Sequence, residues 1–233
     1  MDFDIPAEIA AYLDALDGFI TSEIEPLQAQ DDNERFFDHR REHARTDWDN
    51  DGLPQQEWEN LLGDMRRLAD AAGHYRFALP ASIGGSDGTN LQMAIIREHL
   101  ATRGLGLHND LQNESSIVGN HPFIKMMISK GTDAQKAEFI EASLTGKRRV
   151  AFGLTEPNHG SDATHLETTA VRDGDEWVIN GDKRFNTGMH HATHDMVYAR
   201  TSGEAGNADG ITCFLVPTDS PGVELGTFWW TFN

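Results

Sequence analysis

The segment GLTEPNHGSDATH, residues 153–165, concentrates groups that can hold a ligand by hydrogen bonds. Its proline, its glycines and its short polar residues favour a non-repetitive backbone, in which consecutive N–H groups can point at one anion. Ser161 adds a hydroxyl beside Gly160, and Thr155 adds another where the preceding apolar run ends. The segment is therefore a candidate cradle for a phosphate group, although a purely conformational loop would have the same composition.

A second segment offers complementary groups further along the chain. Phe185 and Thr187 place a flat apolar side chain and a hydroxyl two residues apart, and Phe152 and Leu154 add apolar surface next to the loop. A heteroaromatic ring needs apolar contact on its faces and a few polar partners at its edge. The two segments could together line a site for such a ring with an attached phosphate.

Two acids and two histidines are candidates for acid–base catalysis and for metal binding. Glu156 and Asp162 could each act as a base, but short polar side chains in loops commonly bond to nearby backbone groups. We therefore predict that both fix the loop through its own N–H groups. His190 and His194 lie four residues apart, yet the stretch lacks the glutamate of HExxH and a helical context, so no metal site is predicted.

The charge balance excludes several classes of partner. The 233 residues include 38 acids and 19 bases, a formal net charge of -19. Such a charge repels nucleic-acid backbones and anionic lipid surfaces, so neither nucleic acid nor membrane is expected as a partner. An anionic ligand must then be held locally, by backbone N–H groups and a few placed side chains.

Cysteine usage and the N-terminus indicate a cytoplasmic protein. Cys213 is the single cysteine and cannot form an intramolecular disulfide. The N-terminus MDFDIPAEIAAYLDAL has acids where a signal peptide needs Lys or Arg. No apolar run approaches the roughly 18 residues of a membrane span.

The elements that must position these residues change type along the chain. Apolar spacing is helical up to about residue 147 and alternates in short runs beyond it. Thr132 and Gln135 have the spacing of a capping box. We predict helices over 5–24, ending near Pro26, from Pro54 to before Gly73, over 91–103, within 115–130, and over 133–144, with an extended loop over 31–51.

Beyond these helices the pattern predicts a sheet. The predicted strands cover 150–154, 168–172, 177–180, 185–187, 196–200, 211–216 and 223–228. The predicted fold class is α+β, with an all-helical domain over residues 1–148 followed by an antiparallel β-sheet or small β-barrel domain over 149–233. No strand–helix–strand repeat and no GxGxxG motif supports a doubly wound dinucleotide fold.

Several motifs, in order, resemble one known family. LTEPNHGSD resembles the TEPxxGSD signature of acyl-CoA dehydrogenases, and WVINGDKRFNTG resembles the later segment in which those enzymes carry an aromatic-x-Thr contact to flavin. LPASIGGSDGT, the stretch SKGTDAQKAEFIEASLTGKRRVAFGLTEP and DGITCFLVPTDSPGVELG resemble other parts of the same family. The resemblance is strong from about residue 79 onward. Before that residue, only the pattern of helices resembles the family.

The resemblance implies FAD as the cofactor and assigns residues to it. Thr155 would donate to the pyrimidine edge of the flavin, Ser161 would reach its phosphates and the acyl-CoA, and Thr187 would bond near N5. Phe185 would lie against the isoalloxazine ring. The family more often has Trp and Ile where this chain has Phe185 and Asn186. The implied cofactor-binding residues are Phe152, Leu154, Thr155, Gly160, Ser161, Phe185, Asn186 and Thr187, and Ser161 is also the implied substrate contact.

The same resemblance implies a reaction and partners. The family dehydrogenates acyl-CoA thioesters between the α and β carbons and passes electrons to electron-transfer flavoprotein or another acceptor. Its catalytic base, part of its FAD contacts and its tetramer core come from a C-terminal helical bundle. This chain ends at TFWWTFN, inside what resembles the middle domain, so we expect a truncated chain that is homo-oligomeric when full length, and no catalytic residue is assigned. A related flavin oxidase or monooxygenase, or a non-catalytic binding or assembly module, remains an alternative.

Overall fold

In the computed structural model the described residues are 4–38, 40–41, 43–110 and 115–226. They divide into two units, one up to Ile140 and one from Glu141 onward. Among the described residues, no helix is long and apolar enough to cross a membrane.

The first helix is longer than its proline suggests. Helix α1 (Ala7–Phe19) continues through a π-helical turn (Ile20–Ile24) into the short helix α2 (Glu25–Gln28). The helix ends at Gln28, two residues beyond Pro26 and close to the predicted end. A proline ring collides with the carbonyl four residues back in a regular α-helix, and the wider π turn directly before Pro26 accommodates it.

The charged stretch that follows is more structured than predicted. It contains a 3-10 helix (Asn33–Phe37) and the strand β1 (Thr46–Asp47), which pairs antiparallel with β2 (Leu53–Pro54). Helix α3 (Gln56–Ala71) begins two residues later than predicted because Pro54 belongs to this strand pair. The helix ends before Gly73, as the sequence predicts.

The remaining helices agree closely with the pattern. They are α4 (Asn90–Thr102), α5 (Pro122–Lys130) and α6 (Asp133–Leu144), and a short pair of strands, β3 (Asn109–Asp110) and β4 (Ser115–Ser116), separates α4 from α5. The capping box before α6 is confirmed, since Gln135 N donates to Thr132 Oγ1 and Thr132 N donates to Gln135 Oε1. An equivalent capping box before α4, formed by Thr89 and Gln92, was not predicted.

Apolar side chains from α1, α3 and α4 build one core in the helical unit. Leu16, Ile20, Met65, Ile96 and Leu100 are fully buried within it. The apolar faces seen in the sequence are thus the faces that pack together.

The second unit is built on a five-stranded sheet. Its strands are β5 (Val150–Gly153), β6 (Thr169–Asp173), β7 (Glu176–Asn180), β8 (His194–Arg200) and β9 (Ile211–Pro217). Strand β8 pairs parallel with β5 along its first half, touches β6 at its far end, and pairs antiparallel with β9, while β6 and β7 form a hairpin. The predicted α+β class, helices followed by a sheet, is confirmed, with parallel pairing added at β5–β8.

Two predicted strands differ from the structure. Residues 185–187 are not a strand, because Phe185 has φ +60, far from the extended region that a strand requires. Residues 223–226 carry no strand either, and the last two residues of that predicted strand lie outside the described part of the chain.

Candidate cofactor site

The loop after β5 is fixed by its own acids. Asp162 caps a 3-10 turn (Ala163–His165) by accepting from Thr164 N at 3.2 Å, and it also accepts from Thr164 Oγ1 and pairs with His165 Nδ1. The hydrogen bond from Thr164, followed by that from His165, lowers the pKa of Asp162. The predicted role of Asp162 in holding the loop is confirmed.

Glu156 is the main anchor of the loop. Its buried carboxylate accepts from Glu167 N at 2.5 Å, from Thr168 N at 2.9 Å and from Lys183 Nζ at 2.7 Å. Burial alone would raise its pKa, but the bonds from Lys183, Thr168 and Glu167 together lower the pKa to about 2. A carboxylate with so low a pKa and with occupied oxygens is a poor base, so the predicted structural role is confirmed.

Three contacts join the loop to the downstream segment. Besides its ion pair with Glu156, Lys183 Nζ donates to the carbonyl of Leu154 at 3.2 Å. The backbone N–H of Arg184 donates to the carbonyl of Thr155 at 2.8 Å. The loop after β5 and the segment that contains Phe185 therefore contact each other at the end of β5. Phe185 directly follows Arg184, which makes one of these contacts.

The downstream segment presents one aromatic ring outward. Phe185 adopts a left-handed backbone conformation, which is uncommon for a bulky residue, and the residue is 63% exposed. Thr187 is exposed in the turn that follows, and its hydroxyl bonds to no other residue that the structure describes. Asn186 turns the other way, and its Nδ2 donates to Asp195 Oδ2 at 2.6 Å.

The other predicted site residues lie at or near the surface. Phe152 is half exposed with its ring 5.4 Å from that of Tyr198, and Leu154 and Thr155 are half-buried. Gly160 and Ser161 are exposed, and the Ser161 hydroxyl bonds to no other described residue.

This donor set fits FAD. Outward aromatic and apolar surface at Phe152 and Phe185 suits a flat ring. The uncommitted hydroxyls of Ser161 and Thr187 suit polar groups on the ring and on a phosphate.

The histidine stretch does not assemble a metal centre in the described ranges. His190 lies in a 3-10 turn (Met189–His191), whereas His194 is buried at the start of β8. No group of three or more His, Cys, Asp or Glu side chains among residues 4–38, 40–41, 43–110 and 115–226 could hold a metal ion.

Sequence reasoning missed two residues that shape the site. Lys183 stands in the turn-like stretch NGDKRF, where nothing marks it as buried. Asp195 is buried in β8, and the signal that could have found it is an acid inside the apolar strand HDMVYAR.

Comparison with known proteins agrees with this architecture. The model of the acyl-CoA dehydrogenase N-terminal domain matches residues 7–147, and that of the acyl-CoA dehydrogenase middle domain matches residues 151–231. The structure is similar to that of a putative acyl-CoA dehydrogenase from Mycobacterium abscessus, with a TM-score of 0.71 and 28% identity over 94% of this chain and 52% of that one.

Curated relatives are also similar in sequence. The Caffeyl-CoA reductase-Etf complex subunit CarC of Acetobacterium woodii is 34% identical over 168 residues, which cover 72% of this chain and 42% of the relative. The mitochondrial short-chain specific acyl-CoA dehydrogenase of Homo sapiens is 28% identical over 223 residues, 96% of this chain and 47% of the relative. The chain spans less than half the length of either relative. With both domain models matched in order over nearly all of its residues, the chain belongs to the acyl-CoA dehydrogenase family.

Proposed function

We propose that this chain binds FAD and forms the cofactor-binding part of an enzyme that dehydrogenates an acyl-CoA thioester between its α and β carbons. The observation that supports the proposal is the set of contacts between the two candidate segments at the end of β5. Lys183 and Arg184 bond to Glu156 and Thr155 there, and Phe185 is exposed beside them in a strained backbone conformation. Strain of this kind, of order 1–3 kcal/mol, is commonly retained at functional sites.

Residues of both segments would hold the cofactor. Thr155 and Thr187 would bond to the ring edge, Gly160 and Ser161 would face the phosphates, and Phe185 would cover the ring, with Phe152, Leu154 and Asn186 completing the proposed set. When bound, FAD would supply the isoalloxazine ring that takes up hydride from the β-carbon. Glu156 is unsuited to removing the α-proton, because its pKa is about 2 and three donors occupy its oxygens.

An electron partner is part of the proposal. The relative CarC is named as a subunit of a complex with Etf. We infer that an electron-transfer flavoprotein or a similar acceptor reoxidises the flavin bound to this chain. An acyl-CoA would be the substrate, contacted by Ser161.

Flavin titration of the cofactor-free chain tests the proposal. We expect saturable quenching of FAD fluorescence. Ser161→Ala and Thr187→Ala should each weaken binding about tenfold, the effect of one lost bond to a polar or charged group. Ser86→Ala, an exposed serine of the helical unit, is the matched control and should stay within about twofold of wild type. A chain that takes up no flavin at millimolar FAD would contradict the proposal.

Reduction of a 2-enoyl-CoA is a second candidate function. Two relatives that are each 34% identical are named reductases, the CarC subunit and a 3-(aryl)acrylate reductase of Clostridium sporogenes. The same flavin site would serve this direction, with electrons entering from the partner instead of leaving. The two candidates are separated by assaying the chain with acyl-CoA plus an artificial electron acceptor, and with enoyl-CoA plus a reduced electron donor.

A further inference from the structure

One acid of the sheet unit lies where an apolar side chain would be expected. Asp195 is only 4% exposed and lies in β8, opposite Ala151 of β5 on one side and Val216 of β9 on the other. Burial raises the pKa of its carboxyl. Burying a carboxyl costs free energy unless it is hydrogen-bonded, so packing alone does not explain an acid here.

Within the described residues Asp195 makes one side-chain hydrogen bond, and its donor belongs to the candidate site. Asn186 Nδ2 donates to Asp195 Oδ2 at 2.6 Å. The remaining carboxyl oxygen of Asp195 and the amide oxygen of Asn186 are buried without a hydrogen-bond partner in the described part of the chain. The bond between the two side chains therefore offsets part of the cost of their burial, and the positive charge of Lys183 and the Met196 N–H also favour the charged form of Asp195.

Gly153 leaves the space that this pair occupies. A Cβ at residue 153 would lie 2.5 Å from Asp195 Oδ2 and 3.0 Å from Asn186 Nδ2. The pair thus sits directly against the last residue of β5, where the cofactor loop begins. Gly153, Asn186 and Asp195 fit together as one buried unit.

We propose that Asp195 is a positioning residue, which holds the Phe185–Asn186–Thr187 segment against the end of β5 through its hydrogen bond to Asn186. With the Asn186 side chain drawn inward, its neighbours Phe185 and Thr187 are presented outward. The Arg184 N–H, which donates to Thr155, anchors the segment from the other side. The consequence for FAD affinity rests on the proposed function, whereas the positioning role does not.

Hydrogen–deuterium exchange of the cofactor-free chain tests the positioning role directly. In Asp195→Ala the peptide over residues 183–188 should exchange about tenfold faster, because the segment loses its inner bond and opens locally. Asp195→Asn should restore protection to within about threefold, since its amide oxygen can accept the same bond from Asn186. Gly153→Ala should resemble Asp195→Ala.

A second variant separates this effect from general weakening of the sheet. Val197→Ala removes two methyl groups from the same strand, two residues from Asp195, and should lower the thermal midpoint while leaving exchange at 183–188 relative to the rest of the sheet unchanged. Equal exchange at 183–188 in wild type, Asp195→Ala and Gly153→Ala overturns the proposal. So does an Asp195→Asn variant that opens as far as Asp195→Ala.

Flavin binding then reports on the link to the proposed function. We expect Asp195→Ala to raise the Kd for FAD about tenfold and Asp195→Asn to leave it within about threefold. If wild type binds FAD and Asp195→Ala binds it equally well, the link is overturned. If wild type binds no FAD while exchange still depends on Asp195, the proposed function fails and the positioning role stands.

Discussion

The two units of the chain differ in how many large apolar side chains they bury. The helical unit has one apolar core, with Leu16, Ile96 and Leu100 fully buried. The sheet unit buries few large apolar residues, and Glu156 and Asp195 are among its buried side chains. The helical unit also buries an acid, Asp110, but beside an extensive apolar core. Several large apolar side chains of the sheet unit are exposed, namely Phe152, Val171, Trp177, Val178, Phe185 and Leu225.

This difference links the helical unit to stability and the sheet unit to ligand binding. The helical unit can be stabilised by burial of apolar area, at about 25 cal/mol per Å². The sheet unit depends on its strand ladders and on a few buried polar bonds, whose partners are individually specific. Exposed apolar surface beside such bonds is typical of a binding face. The candidate site lies in the unit that is organised this way.

Removing the buried cation should produce the largest effect. Lys183→Met leaves the Glu156 carboxylate buried without its ion-pair partner, and the Lys183 and Glu156 side chains are only 8% and 2% exposed. We expect a loss of about 3–5 kcal/mol in the free energy of unfolding of the sheet unit. Urea denaturation followed by hydrogen exchange of the β5 and β6 peptides measures it.

An exposed ion pair of the helical unit is the control for that variant. Arg67→Met breaks the pair with Asp64, whose side chains are 71% and 45% exposed, and should cost less than about 1 kcal/mol. Similar losses for Lys183→Met and Arg67→Met would show that the buried pair does not stabilise the sheet unit.

Core truncation should affect the two units unequally. Leu100→Ala in α4 opens a cavity in the apolar core and should cost about 2–5 kcal/mol. Val171→Ala in β6 removes a side chain that is 64% exposed, so its cost should stay within about 0.5 kcal/mol. The unfolding free energies of both variants check the comparison. A large loss for Val171→Ala would mean that the exposed sheet face is covered in solution.

Mild acid should weaken the helical unit first. Burial lowers the pKa of His74, His108 and His121, so each takes up a proton in the unfolded chain before it does so in the folded one. Their stabilising contribution is complete above the unfolded pKa of about 6.5 and is lost as the pH falls below it. Glu156 has a pKa of about 2, so its contribution to folding stability is lost only below about pH 4.3. The raised pKa of Asp195 has the opposite effect, because it favours the folded state as the pH falls.

Exchange protection at pH 7.5 and 5.5 measures this smallest effect. We expect lower protection in α1, α3 and α4 at pH 5.5, and nearly constant protection in β6 and β7. His108→Gln should reduce the change in the helical unit, because the neutral amide does not titrate. Equal loss in both units would contradict the assignment of the effect to the buried histidines.

Local signals in the sequence predicted most of the architecture. The bounds of α6 follow from Thr132, Gln135 and the glycine after the helix, all of which act within a few residues. At Pro26 the same local reasoning placed the helix end two residues early, because the preceding π turn accommodates the proline.

The candidate site was predictable in part. The loop acids could be given structural roles because their partners are nearby N–H groups. The ion pair of Lys183 and the buried bond of Asp195 could not be predicted, because they depend on which distant strands become neighbours. The strand predicted over 185–187 is wrong for a related reason, since Phe185 has a positive φ beside Asn186, whose side chain bonds to Asp195 in β8.

The parallel pairing of β5 with β8 also bears on the order of folding. It matches Val150 with His194, so the loop, the β6–β7 hairpin and the Phe185 segment all lie in the chain between the two paired strands. Closing so long a connection loses chain entropy before the hydrogen bonds between β5 and β8 can form, whereas helices form from contacts close in sequence. We therefore expect helical structure to appear early and the candidate site at the end of β5 to be completed among the last events of folding.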